Sequence, residues 1–184
     1  MKTKHLVYVA LMAAIIAVLG LVPPIPLPFV PVPIVLQNIG IYLAGIILGM
    51  ALGPLSVLIF LLLVIVGVPL LPGGRGSIGI LFGPSAGFII MYPIVAFLIG
   101  YFREKVIKKV DFKRVFIITL TFGVLLLDIV GCIVMGIVTN LPVDKTVLAC
   151  LSFLPGDIVK AIVATIIGVA LHKNPQFQKL MARD

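Results

Sequence analysis

Between Leu6 and His172 the chain is a succession of apolar runs, most of them about as long as a bilayer is thick. Its prolines, glycines and charges are gathered into the gaps between the runs. A hydrocarbon core takes about 20 helical residues per crossing, so 184 residues leave room for about six spans and short connections. Composition supports this: 62% of the residues are hydrophobic and 11% charged, against roughly 45–50% and 25% in soluble domains. A soluble globule of this size has too much surface to hide that much apolar area. A cytosolic globular enzyme and a disordered chain are both excluded, and the expected fold is an all-α membrane protein, six transmembrane helices in one bundle. The basic start before Leu6 resembles a signal peptide. No small-residue cleavage site follows it, so the first run reads as a retained helix.

The runs predict helices at about Leu6–Leu21, Val35–Leu52, Leu55–Val68, Pro84–Phe102, Val115–Thr139 and Asp157–His172, with a short helix within Asp144–Phe153. The breaks are expected at Gly53-Pro54 and at Pro155-Gly156. Prolines at 23, 24, 26, 28, 31 and 33 forbid a helix there, because each removes a donor and clashes with the preceding turn. Backbone that is neither helix nor closed sheet cannot face lipid, so this apolar segment is expected to be a lid-like loop over protein or a cavity. A glycine-rich segment covers 69–83 and a charged loop 103–114. The whole of 1–184 reads as one domain, ending in a polar tail at 173–184. The net charge of +8 would suggest nucleic acid in a soluble protein. Here it predicts orientation, since Lys and Arg accumulate in cytoplasmic loops. With both termini cytoplasmic, 11 of the 14 Lys and Arg residues fall inside, in Lys2–Lys4, 103–114 and 173–183. Only Arg75, Lys145 and Lys160 fall outside. The proline loop, the glycine loop and Pro155-Gly156-Asp157 then converge on the outer side, where a ligand pocket is expected.

Asp157 and Lys160 stand three residues apart and share one helix face. Together they offer an acceptor and a donor that could grip a neutral group bearing N–H and C=O. Equally, Asp157 could cap a helix start and Lys160 could reach up to the interface. Asp128 lies near the middle of the fifth helix, where a lone carboxylate costs several kcal/mol by roughly the insertion scales and must face the interior. It is either an ion-coupling or ligand group, or a neutral acid bonded to backbone. Gly73 and Gly74 could bring backbone N–H groups to an anion, with Arg75 adding charge; a flexible turn with a solvated arginine explains them as well. Gln37 and Asn38 carry amides suited to polar recognition or helix-start capping. Phe29, Val30 and Phe82 are candidate apolar cover for a ligand. Ala10, Ala13, Ala14 and Ala17 form two small-xxx-small pairs that permit close helix approach, within the fold or to another subunit. Cys132 and Cys150 are too few for a disulfide framework and sit in apolar runs. No metal cluster, nucleophile elbow or ATP-hydrolysing motif is present in the sequence.

The blocks Val32-Pro33-Ile34-Val35-Leu36-Gln37-Asn38-Ile39-Gly40, Gly67-Val68-Pro69, Gly73 to Gly79, Gly83-Pro84-Ser85-Ala86-Gly87-Phe88 and Pro155-Gly156-Asp157-Ile158-Val159-Lys160 occur in this order. Through them the chain resembles the BioY family, the biotin-specific substrate-binding component of energy-coupling factor transporters. The blocks run over about 32–160, and the resembling core covers 33–172. The resemblance implies six helices, a vitamin pocket near the outer surface, and a loop after the first helix that covers it. It also implies high-affinity biotin capture with no cofactor, and docking to a transmembrane coupling subunit that carries two ATPases in a prokaryotic plasma membrane. The family's ureido-contacting Asp and Lys map onto Asp157 and Lys160, Phe88 falls in a pocket block, and the alanines of the first helix are similar to the family's docking motif. The chain departs from the family at Val35 and Asn38, where Thr is usual.

The expected function is therefore biotin capture and uptake, not catalysis. Two other classes remain at this point. One is an ion-coupled carrier using Asp128. The other is an aspartate enzyme pairing Asp128 with Asp157, which the predicted helix starts oppose by setting the two carboxyls about 10–15 Å apart in depth.

Overall fold

In the computed structural model, residues 3–28, 30–107 and 110–182 are described, the side chains of 180–182 aside. Lys2, Lys108, Lys109 and Arg183, counted above for orientation, lie outside them. The first helix, α1 (Thr3–Gly20), has no proline and ends three residues before Pro23. It buries Val9, Met12, Ala13 and Ile16, a stripe at helical spacing on an otherwise lipid-facing cylinder.

The proline segment is not a plain loop. It folds into an antiparallel pair, β1 (Ile25–Leu27) and β2 (Val30–Ile34), with Ile25 opposite Ile34 and Leu27 opposite Val30. In β2, Val30 and Val32 turn inward while Pro31 faces out. The period-2 pattern of a strand puts the ring that cannot donate on the outer face.

Helix α2 (Gln37–Leu43) continues through a wider π-type winding at Ala44–Leu48 and is followed by α3 (Gly49–Ile65). The expected break at Gly53-Pro54 is instead at Gly49. That residue has φ +79° and ψ −167°, a conformation only glycine adopts readily. Pro54 lies inside α3. The reversal is a true fold-back: a Cβ placed on Gly53 would lie 2.7 Å from the Ala44 carbonyl oxygen. Nine residues along a straight helix would separate them by about 13.5 Å. Gly100 on the neighbouring helix leaves room for the turn, since a Cβ there would stand 2.7 Å from the Gly49 oxygen.

Helix α4 (Ala86–Lys105) is the centre of the bundle. Its most apolar stretch is 56% buried, against 28% for α1. The next span begins with α5 (Phe112–Ile118), capped by Asp111, whose carboxylate accepts from the Arg114 amide at 3.0 Å. It passes through π-type turns at Thr119–Leu126 into α6 (Leu127–Thr139). In that stretch Tyr42 donates to the Gly123 carbonyl at 2.6 Å, drawing on a helix acceptor where the winding widens. Asn140, left-handed at φ +52°, ends α6.

Helix α7 (Val143–Lys173) runs unbroken through Pro155, which corrects the expected stop at Pro155-Gly156 and the separate sixth helix from Asp157. A helix that continues through proline forfeits one internal hydrogen bond. A broken one would leave several backbone groups unpaired in a medium without water. A short α8 (Pro175–Ala182) follows. Tyr8 and Leu11 of α1 line one apolar hollow with Ile47 and Leu48 of the helical turn and with Leu171 and Phe177. The two ends of the chain therefore share one end of the bundle. With Gln37–Ile65 folded back, six helices build it.

Candidate functional site

At the opposite end the β1–β2 hairpin, the glycine segment and the starts of α2 and α4 close over a hollow. The hollow is lined from above by Val32, Pro33, Ile34 and Val35, from the side by Leu71, Pro72 and Arg75, and from below by Gln37 and Asn38. Two helical stripes complete it: Phe88, Ile89 and Tyr92 on α4, with Ser85 just before its start, and Phe153, Asp157 and Lys160 on α7. Phe88 and Phe153 meet edge to face with centroids 5.8 Å apart, forming an aromatic wall. Phe88 has room for its ring because Gly131 of α6 carries no side chain; a Cβ there would overlap the ring. The free volume is about 40 Å³, enough for about three or four waters at roughly 10–15 Å³ each.

The polar floor is one connected network. Lys160 and Asp157 form an ion pair, each side chain 5% exposed. Lys160 Nζ also donates to the Val35 carbonyl at 2.9 Å. Asn38 Nδ2 donates to Asp157 Oδ1 at 3.3 Å, and Tyr92 donates to Asn38 Oδ1 at 3.0 Å. The asparagine amide is thus held from both ends. Gln37, fully buried, donates through Nε2 to the carbonyls of Ile16 (3.2 Å) and Leu70 (3.1 Å), tying α1 and the glycine segment to α2. Its Oε1 has no partner among the described residues. The ammonium has three protons and two acceptors here, so the site offers a donor, and Gln37 Oε1 offers an acceptor, to whatever fills it. Buried polar groups of this kind are costly unless satisfied.

Asp157 does not cap a helix. It lies 14 residues inside α7, about 21 Å along the axis from Val143. This also overturns the depth separation from Asp128. Asp128 sits on α6, 11 residues before that helix ends, about 16.5 Å from the connection. The two carboxyl groups lie at similar depth and within interaction range, while Asp128 itself does not line the hollow.

Of the predicted residues, Asp157, Lys160, Gln37, Arg75 and Phe88 come together around the hollow. Arg75 sits at its rim, with Nε donating to the Pro72 carbonyl at 3.2 Å. Phe82 does not join them. It is 77% exposed on the short turn Ile78–Phe82. Gly73 and Gly74 are not lining residues either: with φ of +79° and +69° they form the tip of the turn that brings Leu71 opposite Arg75. Val30 is buried beneath the hairpin but outside the hollow, and Phe29 lies outside the described residues. On α1, Ala10 and Ala14 remain exposed and Ala17 is half-buried, while Ala13 is buried in the bundle. The sequence reading missed Tyr92 and Phe153. Each lies one turn from a residue it named, Phe88 and Asp157 respectively.

The model of the BioY family matches residues 1–177. The chain is similar to the "Probable biotin transporter BioY" of Bacillus subtilis (strain 168), with 40% identity over 93% of this chain and 91% of the relative. It is 41% identical to the "Biotin transporter BioY" of Lactococcus lactis subsp. cremoris (strain MG1363), over 96% and 95%. It also superimposes on the crystal structure of an "S-component for biotin from an ECF-type ABC transporter" with a TM-score of 0.91, at 40% identity, covering 98% of each chain.

Proposed function

The chain belongs to the BioY family, and we propose that it captures biotin at the outer face of a prokaryotic plasma membrane as the substrate-binding component of an energy-coupling factor transporter. The observation that carries this reading is the buried Asp157–Lys160 ion pair facing an aromatic-walled hollow. Biotin has an uncharged ureido head, an apolar ring and chain, and a carboxylate. The head's N–H groups suit Asp157 and the open Gln37 Oε1, and its carbonyl suits the remaining Lys160 proton. Phe88 and Phe153 suit the ring, and Arg75 at the rim suits the carboxylate.

The hollow as it stands is far smaller than the roughly 300–1,000 Å³ of small-molecule sites. Capture therefore requires the β1–β2 hairpin or the glycine segment to move outward. The chain works as a single domain over 1–184, with the 103–114 loop, the 173–184 tail and both termini cytoplasmic. This places the hollow outside. Lys160 is buried in the ion pair, so it no longer weighs in the Lys and Arg asymmetry that sets the orientation. Power comes from partners, a transmembrane coupling subunit and two ATPases, and the exposed Ala10/Ala14 face of α1 suits close approach to the former. No cofactor is needed; biotin is the ligand.

Calorimetric titration of the detergent-purified chain with biotin tests this directly, because the signal needs no tryptophan and the chain has none. Saturable binding is expected, together with vesicle uptake that depends on the coupling subunit and ATPases. Absence of binding heat, or full uptake by the chain alone, would reject the reading.

A further inference from the structure

Asp128 is 1% exposed well inside the span Phe112–Thr139, and neither of its carboxyl oxygens has a hydrogen-bond partner among the described residues. It lies against the ion pair of α7 without lining the hollow, and it interacts with both Asp157 and Lys160. The titratable groups around it are Asp157, Lys160 and Cys150 on α7, Tyr42 on α2, Tyr92 on α4 and Cys132 one turn along its own helix. The neighbouring strong donors are engaged elsewhere. Tyr42 donates to Gly123 and Tyr92 to Asn38, while Lys160 binds Val35 and Asp157 and keeps its third proton for the hollow, which Asp128 does not line. An ionised Asp128 would therefore add an uncompensated charge to a dry interior and aim two acceptors at another acceptor. A neutral one has an O–H to give, and Asp157 is the acceptor in reach.

We propose that Asp128 is a positioning residue of the ligand site, holding a proton and donating it as a hydrogen bond to the Asp157 carboxylate from the side away from the hollow. Asp157 is then fixed from three directions, by Lys160, Asn38 and Asp128, and its remaining acceptor capacity is directed at the ligand. The proton is not transferred; it orients. This inference rests on the reading that Asp157 and Lys160 hold biotin.

The test compares Asp128→Asn, which keeps a neutral donor of the same shape, with Asp128→Leu, which keeps none, by biotin calorimetry. Infrared difference spectroscopy of the wild type against Asp128→Asn reads the proton itself. Biotin affinity is expected to stay within about threefold in Asp128→Asn and to fall about tenfold or more in Asp128→Leu. The carbonyl band of a neutral carboxylic acid is expected in the ligand-free wild type, lost in Asp128→Asn, and shifted by biotin. Absence of that band overturns the proposal, and so does equal affinity in the two variants. If Asp128→Leu fails to fold, the infrared comparison still decides. Retained affinity in Asp157→Asn would instead sink the site reading on which the proposal stands, so the two failures are distinguishable.

Discussion

Replacing Asp157 by Asn should do two separable things. It leaves the Lys160 ammonium buried, its side chain 5% exposed, with neutral oxygens alone to meet it, the Val35 carbonyl and the new amide. Removing one member of a buried ion pair costs about 3–5 kcal/mol, because the survivor keeps its desolvation penalty. For a chain of this length that corresponds to a fall in melting temperature of about 6–20 °C. The double variant Asp157→Asn/Lys160→Met removes both charges and should recover most of that stability, since a buried pair exchanged for uncharged groups of similar volume is close to neutral. Binding should not recover. The site has then lost a charged acceptor and a charged donor, each contributing about 1.5–3 kcal/mol, so biotin affinity should drop by at least about a hundredfold. Thermal unfolding in detergent measures the first effect and calorimetric titration the second. If the single variant melts with the wild type, the pair carries no buried charge, and if the double variant binds biotin normally, the pair does not contact ligand.

Two further tests address the walls and the cover. Gly131→Ala puts a methyl group into the Phe88 ring, an overpacking of about 1–3 kcal/mol that drives the ring into the hollow. Biotin affinity should fall about tenfold in titration, while Gly83→Ala, whose added Cβ meets nothing nearer than 3.9 Å, should leave it unchanged. Ile34→Cys/Gly156→Cys, with Cys132 and Cys150 replaced by Ala, ties β2 to α7 where a Gly156 Cβ would lie 3.5 Å from Ile34. Oxidation should slow biotin association in stopped flow, and reduction should restore it; an unchanged rate would show that the hairpin is not the gate.

The bundle was legible because lipid makes the apolar run and the helix nearly the same thing. What misled was punctuation. Pro155-Gly156 reads as a stop by rules drawn from water, where a broken helix can solvate its ends. In lipid the helix persists, and Asp157 moves from a predicted helix start to a buried position level with Asp128. The same error hid Phe153, which shares a face with Asp157 and Lys160 only if the helix is continuous. Asp157 and Lys160 themselves were recoverable, since one-turn spacing survives any choice of helix start. Phe82 was misplaced because hydrophobicity alone does not say which side of a short turn a ring takes. The hairpin at 25–34 was missed because prolines argue against strands. Here they alternate with Ile, Leu and Val, and Pro31 stays exposed between the inward-turned Val30 and Val32.

Gly49 decides the parity of the molecule. By hydropathy alone Gln37–Ile65 is a single 29-residue stretch, an inserting chain would cross five times, and its two ends would finish in different compartments. One residue without a side chain turns that stretch into a re-entering pair, makes the count even, and returns the chain to the end of the bundle from which it set out. A β-branched residue at 49 would strain the turn and also put at risk which compartment every later loop is delivered to.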